Sequence, residues 1–228
     1  MTTDFADRLH VVQARIRAAE QRFRRLPGSV KLLAVSKTRP AAAIAAMAAA
    51  GQRCFGENYP QEALDKIIEL AALGLEWHFI GPVQANKTRS IAERFAWVHS
   101  VDRLKIAERL SAQRPAALPP LNVCLQVNID REATKHGLDE ADLATVAEAV
   151  AALPRLRLRG LMAIPAPTLD FAAQRRPLAR LREGWERLNA EGLALDTLSM
   201  GMSDDLEAAI AEGATLVRVG AALFGPRG

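Results

Sequence analysis

Aromatic residues are scarce in this chain: seven Phe, three Trp and one Tyr among 228 residues. The core must therefore be built from Ala, Leu, Val and Ile. Aromatics are also missing among Arg15, Arg17, Arg22, Arg24 and Arg25, where a nucleic-acid stacking surface would need them. Cysteine is nearly absent. Cys54 and Cys124 stand far apart with no CxxC pairing, which offers neither a disulfide framework nor a zinc motif and fits a reducing compartment. His10, His78, His99 and His136 show no metal-ligand spacing, so no metal is expected. No apolar run approaches the ~20 residues of a membrane span. The N-terminus is polar and does not read as a signal peptide. A cytoplasmic protein without a membrane partner is the expectation.

Half of the chain is hydrophobic and a quarter is charged, an ordinary globular composition. Its length suits a single domain over 1–228 and buries enough surface to need no metal or disulfide. The formal charge is +4, but 30 basic and 26 acidic residues are mixed along the chain. The arginines near the start read as a solvated helix face, and no nucleic-acid partner is expected.

Short β-rich runs alternate with alanine-rich helical stretches. A first helix is expected over 4–25, stopped by Pro27-Gly28. Strands are expected over 30–38, 53–58, 76–81, 97–102, 122–129, 157–165, 197–202 and 215–220. Helices are expected over 40–50, 60–73, 86–92, 103–112, 140–153, 169–190 and 204–212. Asp204 with Glu207 reads as a capping box. Runs such as LLAV and NVCLQVNI are apolar without alternation, as strands covered on both faces are. Eight strand–helix units imply a parallel sheet closed as a (β/α)₈ barrel with one extra N-terminal helix. An open doubly wound sheet is the lesser reading, because no Gly-rich dinucleotide turn follows the first strand.

Such a barrel carries its chemistry at the C-terminal ends of its strands. The residues placed there include Lys37, Glu57, Asn58, His99, Asp102, Ser203 and Gly220. Lys37 ends the run LLAVSK. A desolvated lysine there can attack a carbonyl; a surface or ion-paired lysine is the plainer alternative. Arg218 lies inside the apolar run TLVRVG and must find an acceptor. An internal salt bridge to Glu57 or Asp102 and a ligand contact in the barrel mouth are both open. Glycine turns follow the last two strands, at Ser199-Met200-Gly201 and Gly220-Ala221-Ala222, where barrels often bind phosphate. Lysine carbonyl chemistry beside a phosphate cup fits either a sugar-phosphate aldol substrate or pyridoxal 5′-phosphate (PLP).

The motifs LLAVSKTRP, FGENYPQE, EWHFIGPVQANK, VHSVDR, LQVNIDREATKHG, RLRGLMAIPAP, LSMGMSDDLEAAI and VRVGAALFG resemble those of the pyridoxal phosphate homeostasis protein family from Leu32 to Gly225. That resemblance implies a single barrel like the N-terminal domain of alanine racemase. It implies a PLP carrier without established turnover, which buffers or delivers the cofactor to apoenzymes. By resemblance Lys37 forms the internal aldimine, Asn58 lies beside the ring, and Arg218 faces the pyridine nitrogen. Ser199, Gly201, Gly220 and Ala221 hold the phosphate, and His78 and Met162 line the pocket. The family has Thr where this chain has Ala221, which removes one hydroxyl contact worth about 1 kcal/mol. A self-contained barrel is expected to be a monomer. The enzymatic alternatives are a weak amino-acid racemase, for which Tyr59 is the only tyrosine, and a lysine aldolase.

Overall fold

The computed structural model describes residues 5–130 and 136–225. Eight parallel strands close into one barrel in chain order. They are β1 (Lys31–Val35), β2 (Cys54–Glu57), β3 (Glu76–Phe79), β4 (Trp97–Val101), β5 (Leu121–Gln126), β6 (Leu156–Met162), β7 (Thr197–Ser199) and β8 (Leu216–Val219). The helices are α1 (Phe5–Arg22), α2 (Ala41–Ala49), α3 (Pro60–Glu69), α4 (Thr88–Arg94), α5 (Leu104–Gln113), α6 (Leu143–Ala151), α7 (Phe171–Ala190), α8 (Leu206–Ala211) and α9 (Ala221–Phe224). The barrel with an extra N-terminal helix matches the reading of the sequence. None of these helices is long and apolar enough to cross a membrane.

The main apolar core lies between barrel and helices, and Ile44, Phe55, Phe79, Phe95 and Ile106 are fully buried in it. The unalternating strands arise here. One face meets the helices and the other meets the barrel interior, so both are shielded from water.

Two sequence expectations shift. β1 ends at Val35 rather than running to Thr38, because residues 36–39 turn away into the loop above the barrel. The capping box at α8 does not form. Asp205, not Asp204, takes the cap position, and its Oδ1 accepts from the Met202 N–H at 2.6 Å. Glu207 instead pairs with Arg15, which also donates to Ser203 O at 3.1 Å. Arg25 donates to Ile210 O. Two of the early arginines therefore clamp the N-terminal segment to the α8 region.

Candidate functional site

Lys37 sits in the loop directly after β1, half-buried. It shares a small cavity of about 70 Å³ with Val35, Arg39, Gly220, Ala221 and Gly225. The lysine after the first strand and the glycine turn after the last strand thus meet, because β1 and β8 are neighbours in the closed barrel.

The loop is pinned from below. Glu57 ends β2 fully buried, and its Oε1 accepts from Ser36 Oγ at 2.6 Å and Lys66 Nζ at 2.9 Å. Lys66 also donates to Ser36 O at 3.0 Å and pairs with Glu62. Glu62 in turn accepts from the Thr38 N–H at 2.7 Å. Thr38 has φ +63°, a costly value for a β-branched residue. The ion cluster holds it there, one position from the lysine. Burial keeps the Glu57 carboxyl above the ordinary carboxylate range despite Ser36 and Lys66. Lys66 reads from sequence as a plain helix lysine. What marks it is its place on the inner face of α3, six positions after Pro60.

Asn58 borders a wider cleft of about 350 Å³ at the mouth, with Ile80, Pro82, Gln126, Asn128 and His136. Its Oδ1 is buried and has no protein partner. Gly81 lets the two strand ends approach here: a Cβ on it would lie 2.2 Å from Asn58 O. Gly201 has φ +93°, and a Cβ would press to 2.5 Å on Ala209. Its carbonyl accepts from the Arg218 N–H, which ties the seventh loop to β8. Tyr59 is 54% exposed at the start of α3.

Inside the barrel lies a row of hydrogen-bonded polar groups. Arg218 is 4% exposed. Its Nη1 donates to Ser199 O at 2.5 Å and Ser199 Oγ at 2.8 Å, and its Nη2 donates to Ala163 O at 2.9 Å. Burial lowers its pKa to about 10. Neither partner foreseen for it is engaged: Glu57 serves Lys66, and Asp102 serves Arg103. Ser199 Oγ lies 2.7 Å from His99 Nδ1, His99 Nε2 lies 2.9 Å from His78 Nδ1, and His78 Nε2 lies 2.9 Å from Glu76 Oε1. With both rings neutral, the Glu76 end sets the tautomers, since a carboxylate only accepts. Arg218 donates to Ser199, Ser199 to His99 Nδ1, His99 Nε2–H to His78 Nδ1, and His78 Nε2–H to Glu76. Both imidazoles are neutral.

This row relocates several expected site residues. His99 lies within β4 in the barrel interior, not at a strand end. His78 faces a cavity at the N-terminal end of the barrel, opposite the mouth. Met162 packs fully buried against Trp97 and Cys124. The Ser199 hydroxyl is committed to His99 and Arg218. The readable signal was polar residues at alternate positions of one strand, as in EWHF, where the inward face repeats every second residue.

Burial lowers the pKa of His78 and carries His99 well below the ordinary value. Unfolded histidine titrates near about 6.5. Below that pH the unfolded chain takes up protons that the folded chain refuses, so stability is full above it and falls as pH drops. Each histidine costs up to about 1.4 kcal/mol per pH unit across this window. Denaturation midpoints should therefore drop from about pH 7.5 to about pH 5.5. A flat profile would mean that the pair is protonated in the fold.

The alanine racemase, N-terminal domain family matches residues 8–228. The chain is 67% identical over 222 residues to the pyridoxal phosphate homeostasis protein of Pseudomonas aeruginosa, covering 97% of this chain and 95% of that protein. It is 55% identical over 227 residues to the Escherichia coli K12 protein of the same name, covering 98% and 97%. Among solved structures it is similar to PipY, the COG0325 family member of Synechococcus elongatus PCC7942, at 42% identity over 97% of this chain and 100% of that one. The TM-scores are 0.87 for the form without PLP and 0.85 for the form with PLP bound. With the lysine loop, the glycine turns and the closed barrel all in place, the chain belongs to the pyridoxal phosphate homeostasis protein family.

Proposed function

We propose that this chain binds pyridoxal 5′-phosphate at the C-terminal mouth of the barrel and serves the homeostasis of that cofactor. One observation carries the reading: Lys37, Gly220 and Ala221 line the same cavity. An amine and an anion-binding turn in one place suit a ligand that has both an aldehyde and a phosphate. PipY, solved with PLP bound, supports it.

The residues present fit the group. Lys37 would hold its aldehyde carbon covalently. The first N–H groups of α9, which have no partner within a helix, would meet the phosphate beside Gly220 and Ala221. Gly201 would complete the cup through main-chain groups, because the Ser199 hydroxyl is spent inside the barrel. Asn58 Oδ1 is a buried acceptor awaiting a donor. Arg218 would supply the cationic floor, since its five-donor fork extends beyond the three contacts it makes inside. His78 reaches that floor only through His99 and Ser199. Such a group supplies electrophilic carbonyl chemistry, and the chain's part is to bind, orient and release it. A cytoplasmic, monomeric carrier of one domain over 1–228, handing the cofactor to apoenzymes, completes the proposal.

The test is chemical. The protein is incubated with PLP, reduced with borohydride and digested. The expected result is the added cofactor mass on the peptide containing Lys37. Mass on other lysines alone, or none, would overturn the assignment.

A further inference from the structure

The N-terminal end of the barrel holds a second cavity of about 190 Å³. Three residues on its wall come from adjacent strands. Cys54 opens β2, Glu76 opens β3, and His78 follows two positions later on the same inward face. The strand register sets Cys54 directly opposite Glu76. Cys54 Sγ lies 3.5 Å from Glu76 Oε1, and His78 Nε2 lies 2.9 Å from the same oxygen. All three ligand atoms fall within 4.8 Å of one another.

Those distances can be set against a tetrahedral zinc site. Bond lengths of about 2.3 Å to sulfur and about 2.0–2.1 Å to nitrogen or oxygen give donor–donor edges of about 3.3–3.6 Å. The sulfur–oxygen edge already has that length. The nitrogen–oxygen edge needs to open by a few tenths of an ångström. Glu76 can supply the movement, because its side chain is 47% exposed. His78 need not move. It is 1% exposed, its ring stacks on Trp97 with centroids 5.3 Å apart, and its far nitrogen is held by His99. A second hydrogen bond that fixes ring orientation is the usual support of a metal-bound imidazole.

The charge balance at the wall is simple. Lys31 and the Arg159–Asp196 ion pair share the wall. A divalent ion held by thiolate, carboxylate and neutral imidazole is neutral as a unit, so with the thiol proton released the charge beside Lys31 rises by only one. Sulfur among the ligands selects a thiophilic transition ion over magnesium or calcium.

We propose that Cys54, Glu76 and His78 form a binding site for a thiophilic divalent ion of the zinc class, with a water from the cavity as fourth ligand. Binding releases the thiol proton to solvent. It also puts the ion where the His78 Nε2 proton stood, so that proton moves to Nδ1. His78 then donates to His99, and His99 donates to Ser199. The direction of the interior row reverses as far as the residue that Arg218 holds.

Cobalt(II) is the probe, added to metal-stripped, cofactor-free protein. The expected result is one ion per chain and a thiolate-to-cobalt charge-transfer band, displaced by one equivalent of zinc. Cys124 is fully buried, so the band reports Cys54. Cys54→Ser should abolish it. Glu76→Gln, which keeps the thiol, should retain a weaker site. No band at tenfold excess of cobalt, a band that survives in Cys54→Ser, or zinc affinity unchanged in Glu76→Gln would each overturn the proposal. Lys37→Ala should keep the cobalt band, so the cofactor reading and this one stand or fall separately.

Discussion

In Lys37→Ala, the visible absorption band of the PLP-treated protein should be lost, and borohydride should fix no cofactor to the chain. The expected change is all-or-none, because a methyl group cannot make the carbon–nitrogen bond. The fold should survive. Lys37 is half-buried in a surface loop, while its neighbours are held by other groups: Ser36 by Glu57 and Lys66, Thr38 by Glu62, and Arg39 by the Gly225 carbonyl. The unfolding midpoint without cofactor should therefore match wild type closely. Noncovalent PLP binding should persist weakly through the phosphate turn, and equilibrium dialysis would detect it. An undiminished band in the variant would remove Lys37 from the site and with it the proposed chemistry.

The second large effect is expected at Lys66→Met. Lys66 and Glu57 are buried partners, with side chains 7% and 0% exposed. Removing the ammonium leaves a carboxylate without its cation in a dry site. Breaking a buried pair from one side costs about 3–5 kcal/mol. A large drop in the denaturant midpoint should follow. The double variant Lys66→Met with Glu57→Leu should recover much of it, since two apolar groups can replace a buried pair at little cost. Covalent PLP binding should suffer even where the variant folds, because Lys66 also bonds the Ser36 carbonyl beside Lys37 and the Glu62 that holds Thr38. A loss under about 1 kcal/mol would place the pair in the class of solvent-screened bridges.

The barrel was legible because its signals are local. Unalternating strands and the Pro27-Gly28 stop after the first helix act within a few residues. The strand and helix order expected from them is the order found. Lys37 was legible for the same reason: a lysine ending an apolar strand is anomalous on its own. What was not legible depends on register. Nothing in the linear spacing joins Cys54 to Glu76 and His78; only the pairing of β2 with β3 does. Nor does composition distinguish Lys66 from the other helix lysines until α3 turns its inner face to the barrel. Arg218 shows the limit well. Its burial was foreseen, but both proposed carboxylate partners were already taken, and carbonyl and hydroxyl oxygens serve it instead. The capping box failed similarly, because Glu207 had a partner in a helix 192 positions away.

The single direction of donation from Arg218 to Glu76 bears on how this protein can vary among its relatives. Each inner member of the row is donor to one neighbour and acceptor from the other. A substitution at His99 alone therefore takes one partner from both Ser199 and His78, and one at Ser199 takes the donor from His99 Nδ1. Changes along the row should be inherited as sets. A lineage that loses His99 should also have replaced His78 or Ser199, while the loops at the mouth vary one residue at a time.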